Sequence, residues 1–216
     1  MLPLGLFGGT FDPIHYGHLR LAEEAIAHLG LGGVRWLPAG QPPHRGVPQV
    51  TAAQRLDMVR QATAGNPRFC VDASEVEADA PSYTVHTLER LRRELGGQQQ
   101  LVLLVGADAF AGLPTWHRWR ELLALAHLAV SHRPGFPIAA ESLVPELAAE
   151  FSRRRSDDPA VLAAAPAGRI VSFAMTQLAI SATQIRKLLA NGLSPRYLLP
   201  DAALDYIQTH QLYRNR

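Results

Sequence analysis

The stretch LGLFGGTFDPIHYGHL, residues 4–19, constrains the fold of this chain more than any other. Its apolar beginning, Leu4 to Phe7, has the length and the flanking glycines of a buried strand. Gly8 and Gly9 follow directly, where the chain must bend sharply or let a ligand approach its backbone. The stretch therefore predicts a strand that ends in a tight glycine turn.

A helix start is predicted after that turn. Thr10 and Asp12 offer N-cap side chains, and Pro13 suits a first helical turn. His15 and His18 are three residues apart, so they share one face of a helix that has begun by there. Backbone N–H groups and the positive end of a helix attract an anion, and two potential cations stand beside them. This layout predicts a phosphate-binding site.

The spacing excludes two common phosphate sites. Gly5-x-x-Gly8-Gly9 is not the G-x-G-x-x-G fingerprint of dinucleotide-binding turns. A Walker A loop needs a lysine after its glycine, and the only lysine of the chain is Lys187. For a bare pair of histidines, capping and packing would be the better interpretation. The eleven ordered residues GGTFDPIHYGH include several that have no packing reason, and they favour a functional site.

Two stretches carry a resemblance to a known family. HYGH at residues 15–18 resembles the H-x-G-H signature of the nucleotidyltransferase superfamily, and GGTFDPIHYGH is similar to its nicotinate mononucleotide adenylyltransferase branch. ISATQIR at residues 180–186 resembles the other superfamily signature, which holds the β- and γ-phosphates of ATP. Ser181 with Gln184 is also a capping box, which many helices have at their start. The second stretch therefore supports the resemblance only because it occurs together with the first.

The resemblance implies the residues that act on ATP. The implied catalytic residues are His15, His18, Thr10 and Arg186. The residues implied for ATP binding are Gly8, Gly9, Thr10, Phe11, His15, His18, Gly106, Asp108, Ile180, Ser181, Thr183 and Arg186. Asp108 follows the apolar run Leu101–Val105, and its short carboxylate is of the kind that accepts ribose hydroxyls.

The resemblance also implies an acceptor side, for nicotinate mononucleotide. The residues implied there are His44, Arg45, Ser82, Tyr83, Thr84, Trp116 and Arg133. In the resembled family the loop that corresponds to His44 and Arg45 lies near the phosphates, with lysine in place of the arginine. A solvated charge pair is an equally good interpretation of these two residues taken alone.

Two helix starts are expected to hold the nicotinate ring. Ser82 is predicted to cap a helix, and the resemblance implies that the N–H groups of Tyr83 and Thr84 bind the nicotinate carboxylate; the alternative is a plain cap. Residues 115–126 predict another helix. The resemblance implies that the pyridine ring stacks on Trp116 in its first turn, while Trp119 packs in the core.

The alternation of strands and helices predicts an α/β fold, a Rossmann-like doubly wound parallel sheet in a single domain over residues 1–216. The predicted strands are 4–7, 34–37, 68–72, 101–105, 127–132 and 169–173. Residues 136–168 are predicted to be a surface excursion with one helix near 143–151. Residues 181–216 are predicted to form a C-terminal helical part.

Composition narrows the class of protein. The chain has 216 residues, 47% of them hydrophobic and 19% charged, as in ordinary globular proteins. A net charge of +2 does not suggest a nucleic-acid surface, and no apolar run approaches the length of a membrane span. A single cysteine and no evident signal peptide predict a cytoplasmic location. The oligomeric state stays open, a homo-oligomer included.

The expected activity is transfer of AMP from ATP to nicotinate mononucleotide in NAD biosynthesis, with pyrophosphate as the second product. Mg²⁺ is expected to arrive mainly on the ATP phosphates, because no carboxylate cluster forms a dedicated metal cage. Rival acceptors are nicotinamide mononucleotide and phosphopantetheine. A non-catalytic nucleotide-binding module and a Rossmann oxidoreductase are alternatives of another class, the latter disfavoured by the missing dinucleotide fingerprint.

Overall fold

The computed structural model describes residues 1–43 and 46–214. Its strands are β1 (Leu4–Gly9), β2 (Gly33–Pro38), β3 (Phe69–Val71), β4 (Leu101–Gly106), β5 (His127–His132), β6 (Arg155–Ser156) and β7 (Ile170–Ala174). Its helices are α1 (Tyr16–Leu29), α2 (Ala52–Thr63), α3 (Ser74–Glu77), α4 (Thr84–Leu95), α5 (Ala107–Ala111), α6 (Trp119–Leu125), α7 (Pro145–Arg154), α8 (Val161–Ala164), α9 (Ala182–Ala190) and α10 (Asp201–Thr209). Short 3₁₀ turns lie at Leu113–Thr115 and Ala140–Ser142.

The strands form one sheet in the order β3-β2-β1-β4-β5-β7-β6. The pairs β1–β4, β4–β5, β5–β7 and β6–β7 are parallel, with Leu4 opposite Leu101 and Val105 opposite Val130. The strand order reverses between β1 and β4, as it does in doubly wound sheets. The predicted Rossmann-like α/β class is therefore confirmed.

Local sequence explains where several elements begin and end. The apolar runs of β4 and β5 are buried from one end almost to the other, as expected for central strands of a covered sheet. Thr51 and Gln54 form the predicted capping box at the start of α2. Helix α1 ends before Gly30, which has a φ of +63° that glycine adopts without strain.

The structure differs from prediction between residues 113 and 174. Helix α6 begins only at Trp119, because Arg118 has a φ of +53° and interrupts the predicted helix 115–126. Residues 136–168 are not confined to the surface: Leu147, Phe151 and Leu162 are buried, and β6 pairs with β7. The strand predicted at residues 169–173 is consequently the seventh strand of the sheet and not the sixth.

The residues group into two compact units. The first unit comprises Met1–Phe7, Leu21–Arg35 and Tyr83–Gln177; the second comprises Gly8–Arg20, Trp36–Ser82 and Leu178–Arg216. The single domain over 1–216 and the C-terminal helical part stay predictions. No helix in the described part of the chain has the length and apolar character that a membrane crossing needs.

Candidate active site

The turn after β1 holds the two histidines and lies in the second unit. We call residues 8–18 the histidine turn. Helix α1 begins at Tyr16, later than the predicted caps Thr10 and Asp12. The backbone N–H of His15 donates to Nδ1 of His18 at 3.2 Å, and the two imidazole rings stack with centroids 3.7 Å apart. The predicted pair is thus brought together, but by a helix cap and ring stacking instead of a shared helix face.

His15 is buried, with 7% of its surface exposed. Burial lowers the pKa of His15 to about 4, so its imidazole is neutral near pH 7. Of the two potential cations predicted at this turn, His15 is therefore uncharged near pH 7 in the free protein. Among the described residues its buried Nδ1 atom has no hydrogen-bond partner. A Cβ at Gly17 would lie 3.0 Å from that Nδ1 atom, which explains the glycine of the H-x-G-H stretch.

Phe11 shapes the other side of the histidine turn. Its backbone is left-handed, with a φ of +49°, and its ring is buried with an edge contact to His18 at 5.1 Å between centroids. A Cβ at Gly9 would lie 2.9 Å from the Phe11 ring, whereas a Cβ at Gly8 would meet nothing within 4 Å. Gly9 is therefore required by packing and Gly8 is not.

Asp12 forms hydrogen bonds to three other parts of the second unit. Its carboxylate accepts hydrogen bonds from the hydroxyl of Tyr213 at 2.7 Å and from the backbone N–H of Gln49 at 3.0 Å. Its backbone carbonyl accepts a hydrogen bond of 2.6 Å from Nη1 of Arg186. The carboxylate also lies 3.9 Å from the same guanidinium nitrogen. Asp12 thereby joins the turn to α9 and to the residues after α10.

The buried side chain of Arg55 holds the backbone of the histidine turn in place. Its side chain is only 1% exposed, and it donates to the carbonyls of Thr10 at 2.7 Å and Gly40 at 2.9 Å. Burial lowers the pKa of Arg55, while the negative charge of Asp12 opposes that change. Sequence reasoning missed Arg55, Asp12 and Tyr213 as parts of this site. The burial of Arg55 is visible only in the folded chain, and the sequence carries no local signal for it.

The start of α9 is the second predicted signature. The Ser181 hydroxyl accepts from the backbone N–H of Gln184 at 3.1 Å, so Ser181 is the predicted N-cap. Nη2 of Arg186 donates to the Thr183 hydroxyl at 3.3 Å. A Cβ at Gly17 would lie 3.9 Å from the carbonyl oxygen of Ile180. The second unit therefore brings both signatures together, although their role toward ATP stays a prediction.

The predicted Ser-Tyr-Thr turn differs from expectation at its first residue. Tyr83, not Ser82, is the N-cap of α4. The Ser82 hydroxyl instead accepts from the backbone N–H groups of Gly40 at 2.9 Å and Gln41 at 3.2 Å. Within the described chain, the N–H groups of Tyr83 and Thr84 have no acceptor, as a site for a carboxylate requires.

A cluster of rings lies at the start of α4 in the first unit. Tyr83 packs on His117 with centroids 4.5 Å apart, and His86 lies 5.6 Å from both rings. Trp116, next to His117, is half-buried and precedes α6 instead of lying in its first turn. Trp119 is buried, with Arg120 stacked 4.6 Å above its ring, so its predicted packing role is supported by the structure.

The remaining predicted residues follow strands of the first unit. Gly106 is the N-cap of α5, and Asp108 lies exposed in its first turn. Arg133 follows β5 and is exposed. Neither the Asp108 carboxylate nor the Arg133 guanidinium has a hydrogen bond or ion pair to any described residue. His44 and Arg45 lie outside the described residues.

The described ranges, residues 1–43 and 46–214, contain His, Cys, Asp and Glu side chains that are potential metal ligands. No group of three or more His, Cys, Asp or Glu side chains in those ranges could hold a metal ion. Asp12 is the carboxylate of the histidine turn, and both of its oxygens accept hydrogen bonds from Tyr213 and Gln49. The imidazoles of His15 and His18, the hydroxyl of Thr10 and the guanidinium of Arg186 are of the kinds that suit phosphate oxygens.

Known proteins are similar to this chain over nearly its whole length. Residues 6–188 match the family model described as "Cytidylyltransferase-like". A "Probable nicotinate-nucleotide adenylyltransferase" of Dechloromonas aromatica is 79% identical over 99% of this chain and 98% of the relative. A protein of the same description from Pseudomonas paraeruginosa is 52% identical over 98% of this chain and 97% of the relative.

Solved structures share the fold. Plasmodium falciparum nicotinic acid mononucleotide adenylyltransferase complexed with NaAD is similar with a TM-score of 0.70 at 16% identity, over 99% of this chain and 98% of that one. A putative nicotinate-nucleotide adenylyltransferase from Vibrio parahaemolyticus gives a TM-score of 0.64 at 14% identity, over 100% of this chain and 98% of that one. At these identities the likeness shows the fold alone.

Proposed function

We propose, since the chain belongs to the cytidylyltransferase-like family and within it to the nicotinate-nucleotide adenylyltransferases, that it transfers the adenylyl group of ATP to nicotinate mononucleotide. The products are nicotinate adenine dinucleotide and pyrophosphate, in NAD biosynthesis. The structural observation that carries the proposal is the histidine turn, where two imidazoles stack on one another and the Asp12 carbonyl receives the guanidinium of Arg186 from the second signature.

The reaction needs positioning and charge stabilisation more than proton transfer. The attacking phosphate of nicotinate mononucleotide is ionised near neutral pH, so no general base and no covalent intermediate are required. Its oxygen forms a bond to the α-phosphorus of ATP while the bond from that phosphorus to the bridging oxygen of pyrophosphate breaks. An enzyme accelerates such a step by in-line placement and by donors aimed at the phosphoryl oxygens.

The proposed donors are His15, His18, Thr10 and Arg186. His15 acts as a neutral imidazole, because burial lowers its pKa, and a neutral ring still donates one N–H to a phosphoryl oxygen. Arg186 offers a permanent positive charge, and the first turn of α9 adds backbone N–H groups for the β- and γ-phosphates. Gly8, Gly9, Phe11 and Ile180 are proposed to line this ATP side.

On the acceptor side, the N–H groups of Tyr83 and Thr84, which have no acceptor among the described residues, are proposed to bind the nicotinate carboxylate. Trp116, which is half-buried, is proposed to stack on the pyridine ring. Ser82 supports this turn through Gly40 and Gln41. His44, Arg45 and Arg133 for the acceptor, and Gly106 and Asp108 for ATP, rest on the family resemblance.

Mg²⁺ is proposed to enter as part of the substrate, MgATP, held by phosphate oxygens and water. The donors of the histidine turn fit that assignment, since they complement phosphate and not a bare cation. A cytoplasmic location is proposed because Cys70, the single cysteine, is exposed and free. A homo-oligomer is compatible with this activity and with every feature described above.

An acceptor panel tests the proposed function. Purified protein with ATP and Mg²⁺ is supplied with nicotinate mononucleotide, nicotinamide mononucleotide or phosphopantetheine at equal concentration, and pyrophosphate release is followed. We expect strong preference for the nicotinate compound. Release with another acceptor would keep adenylyl transfer and contradict the acceptor. Binding of ATP without release in any arm would leave a nucleotide-binding module.

A further inference from the structure

The chain end after α10 reaches back to the histidine turn. Tyr213 is buried, and its hydroxyl donates to Oδ1 of Asp12 across 201 residues of sequence at 2.7 Å. Its backbone is left-handed, with a φ of +63°, a conformation that tyrosine rarely adopts. Such a conformation persists only where the surroundings hold it, so the docking of this side chain is a built feature of the second unit.

Asp12 transmits that contact to Arg186. The Tyr213 hydroxyl and the Gln49 N–H each hold one carboxylate oxygen, which fixes the orientation of the Asp12 residue. The Asp12 carbonyl then receives Nη1 of Arg186 at 2.6 Å, while the carboxylate stays 3.9 Å from that nitrogen. The guanidinium of Arg186 is thus held by the neutral carbonyl of Asp12. The Asp12 carboxylate beside it already accepts hydrogen bonds from Tyr213 and Gln49.

We propose that Tyr213 is a positioning residue for adenylyl transfer, acting through Asp12 to hold the Arg186 guanidinium where it can meet the phosphates of ATP. The inference rests on the function proposed above, because the role of Arg186 toward ATP belongs to that proposal. It assigns a part in the reaction to the chain end, which neither signature stretch contains.

Loss of the hydroxyl has a defined physical consequence. Without it, Oδ1 of Asp12 is a buried acceptor that lacks its donor, and such a group seeks another partner. Nη1 of Arg186 lies 3.9 Å from Oδ2 of the same carboxylate, and rotation of its guanidinium from the carbonyl to the carboxylate would form a closer ion pair. That rotation turns the positive charge away from the phosphates. Burial and then the charge of Asp12 raise the pKa of Tyr213, so its hydroxyl remains a donor at working pH.

Tyr213→Phe tests the proposal with Tyr206→Phe as a matched control. Tyr206 is also a tyrosine of the second unit whose hydroxyl donates to a carboxylate, Asp57, at 3.2 Å, and it lies outside the histidine turn. At saturating ATP we expect Tyr213→Phe to lower kcat about 10-fold, with the KM for nicotinate mononucleotide unchanged. We expect Tyr206→Phe to keep both constants. Equal kcat values for the two variants would overturn the proposal.

Two further variants separate positioning from general loosening. Leu212→Ala removes a buried neighbour of Tyr213 without touching the hydroxyl, so we expect a lower Tm and an unchanged kcat. A kcat loss as large as that of Tyr213→Phe would overturn the proposal. In an Arg186→Lys background, adding Tyr213→Phe should cost little more, because the two residues act through one another; full additivity would also overturn it.

The test remains decisive if Tyr213→Phe does not fold. Asp12→Asn keeps the tyrosine but leaves one of the two donors to the carboxylate without an acceptor, and the same loss of kcat is expected from it; an unchanged kcat would overturn the proposal. Failure of the proposed function looks different. Wild-type protein that releases no pyrophosphate contradicts adenylyl transfer itself, whereas an active wild type with an unaffected Tyr213→Phe contradicts only the positioning role.

Discussion

The histidine turn and two predicted site residues of the first unit, Asp108 and Arg133, differ in how their polar side chains are held. In the turn, protein groups hold the polar side chains: Asp12 accepts from Tyr213 and Gln49, and Arg55 donates to Thr10. In the first unit, the Asp108 carboxylate and the Arg133 guanidinium are exposed and make no hydrogen bond or ion pair to any described residue. One region is fixed before any ligand binds, and the other still has its bonding groups available.

The difference follows from what each region has to do. Donors that stabilise charge on a reacting phosphorus must already be in place, because reorganisation during the reaction would cost rate. Groups that select an acceptor can take their partner from the ligand itself. Substitutions in the turn should therefore act on kcat or on stability, and substitutions at exposed acceptor-side residues should act on KM.

Two tryptophans three residues apart give the largest contrast. Trp119 is 5% exposed, so Trp119→Ala should cost about 3–5 kcal/mol in the free energy of unfolding. Trp116 is half-buried, so Trp116→Ala should cost clearly less, about 1–2 kcal/mol, and raise the KM for nicotinate mononucleotide about 10-fold. Urea unfolding and steady-state kinetics measure both. Equal destabilisation by the two variants would make Trp116 a core residue.

The next largest effect is expected from His18→Ala. It should keep the fold and lower turnover at least ~10²-fold, the scale for losing a donor that stabilises charge. His28→Ala is the matched control, since His28 lies exposed in the last turn of the same helix. Turnover by pyrophosphate release, with thermal unfolding of both variants, checks this expectation. A near-normal rate for His18→Ala would remove the central residue from the proposed mechanism.

Local patterns were enough to predict the sheet class and the two signature stretches. The apolar runs at residues 101–105 and 127–132 are strands, and the capping residues Thr51 and Ser181 are where the sequence indicates. These features depend on neighbours a few residues away, so a single stretch contains the information. The strand that the sequence did not predict, β6, has only two residues, Arg155–Ser156, and offers no pattern long enough to detect.

Contacts between residues far apart in the sequence could not be predicted, because no single stretch contains the information. The hydrogen bond from Tyr213 to Asp12 joins residues 201 apart, and that from Arg55 to Thr10 joins residues 45 apart. Neither pair has a local signature, because an arginine in a helix is usually exposed. The cap of α4 was misassigned since Ser82 finds its donors at Gly40 and Gln41, which only the folded chain brings near it.

The pH dependence of stability tests whether the turn buries a neutral imidazole. The pKa of His15 is 6.5 in the unfolded chain and about 4 when folded, so on acidification the unfolded state takes up the proton first. The free energy of unfolding therefore falls as pH drops below 6.5. Between pH 7 and pH 5 we expect wild type to lose about 2 kcal/mol more than His15→Gln.

Urea unfolding of both proteins at the two pH values gives this difference directly. Other titrating groups are shared, so they cancel when His15→Gln is compared with wild type. Parallel losses would mean that the His15 imidazole is as easily protonated in the folded protein as in the unfolded chain. In that case His15 would be a cation for phosphate after all, and the turn would be less closed than its contacts indicate.

Neighbouring glycines give the smallest and most local comparison. A Cβ at Gly9 would lie 2.9 Å from the Phe11 ring, whereas a Cβ at Gly8 would meet nothing within 4 Å. Gly9→Ala should therefore lower the free energy of unfolding by about 1–2 kcal/mol, as overpacking does, and Gly8→Ala should leave it nearly unchanged. Urea unfolding compares the two. Phe11 is buried against His18, so the ring has little room to yield. Equal stability of both variants would show that the turn adjusts freely, and that the contacts around Asp12 alone keep it in place.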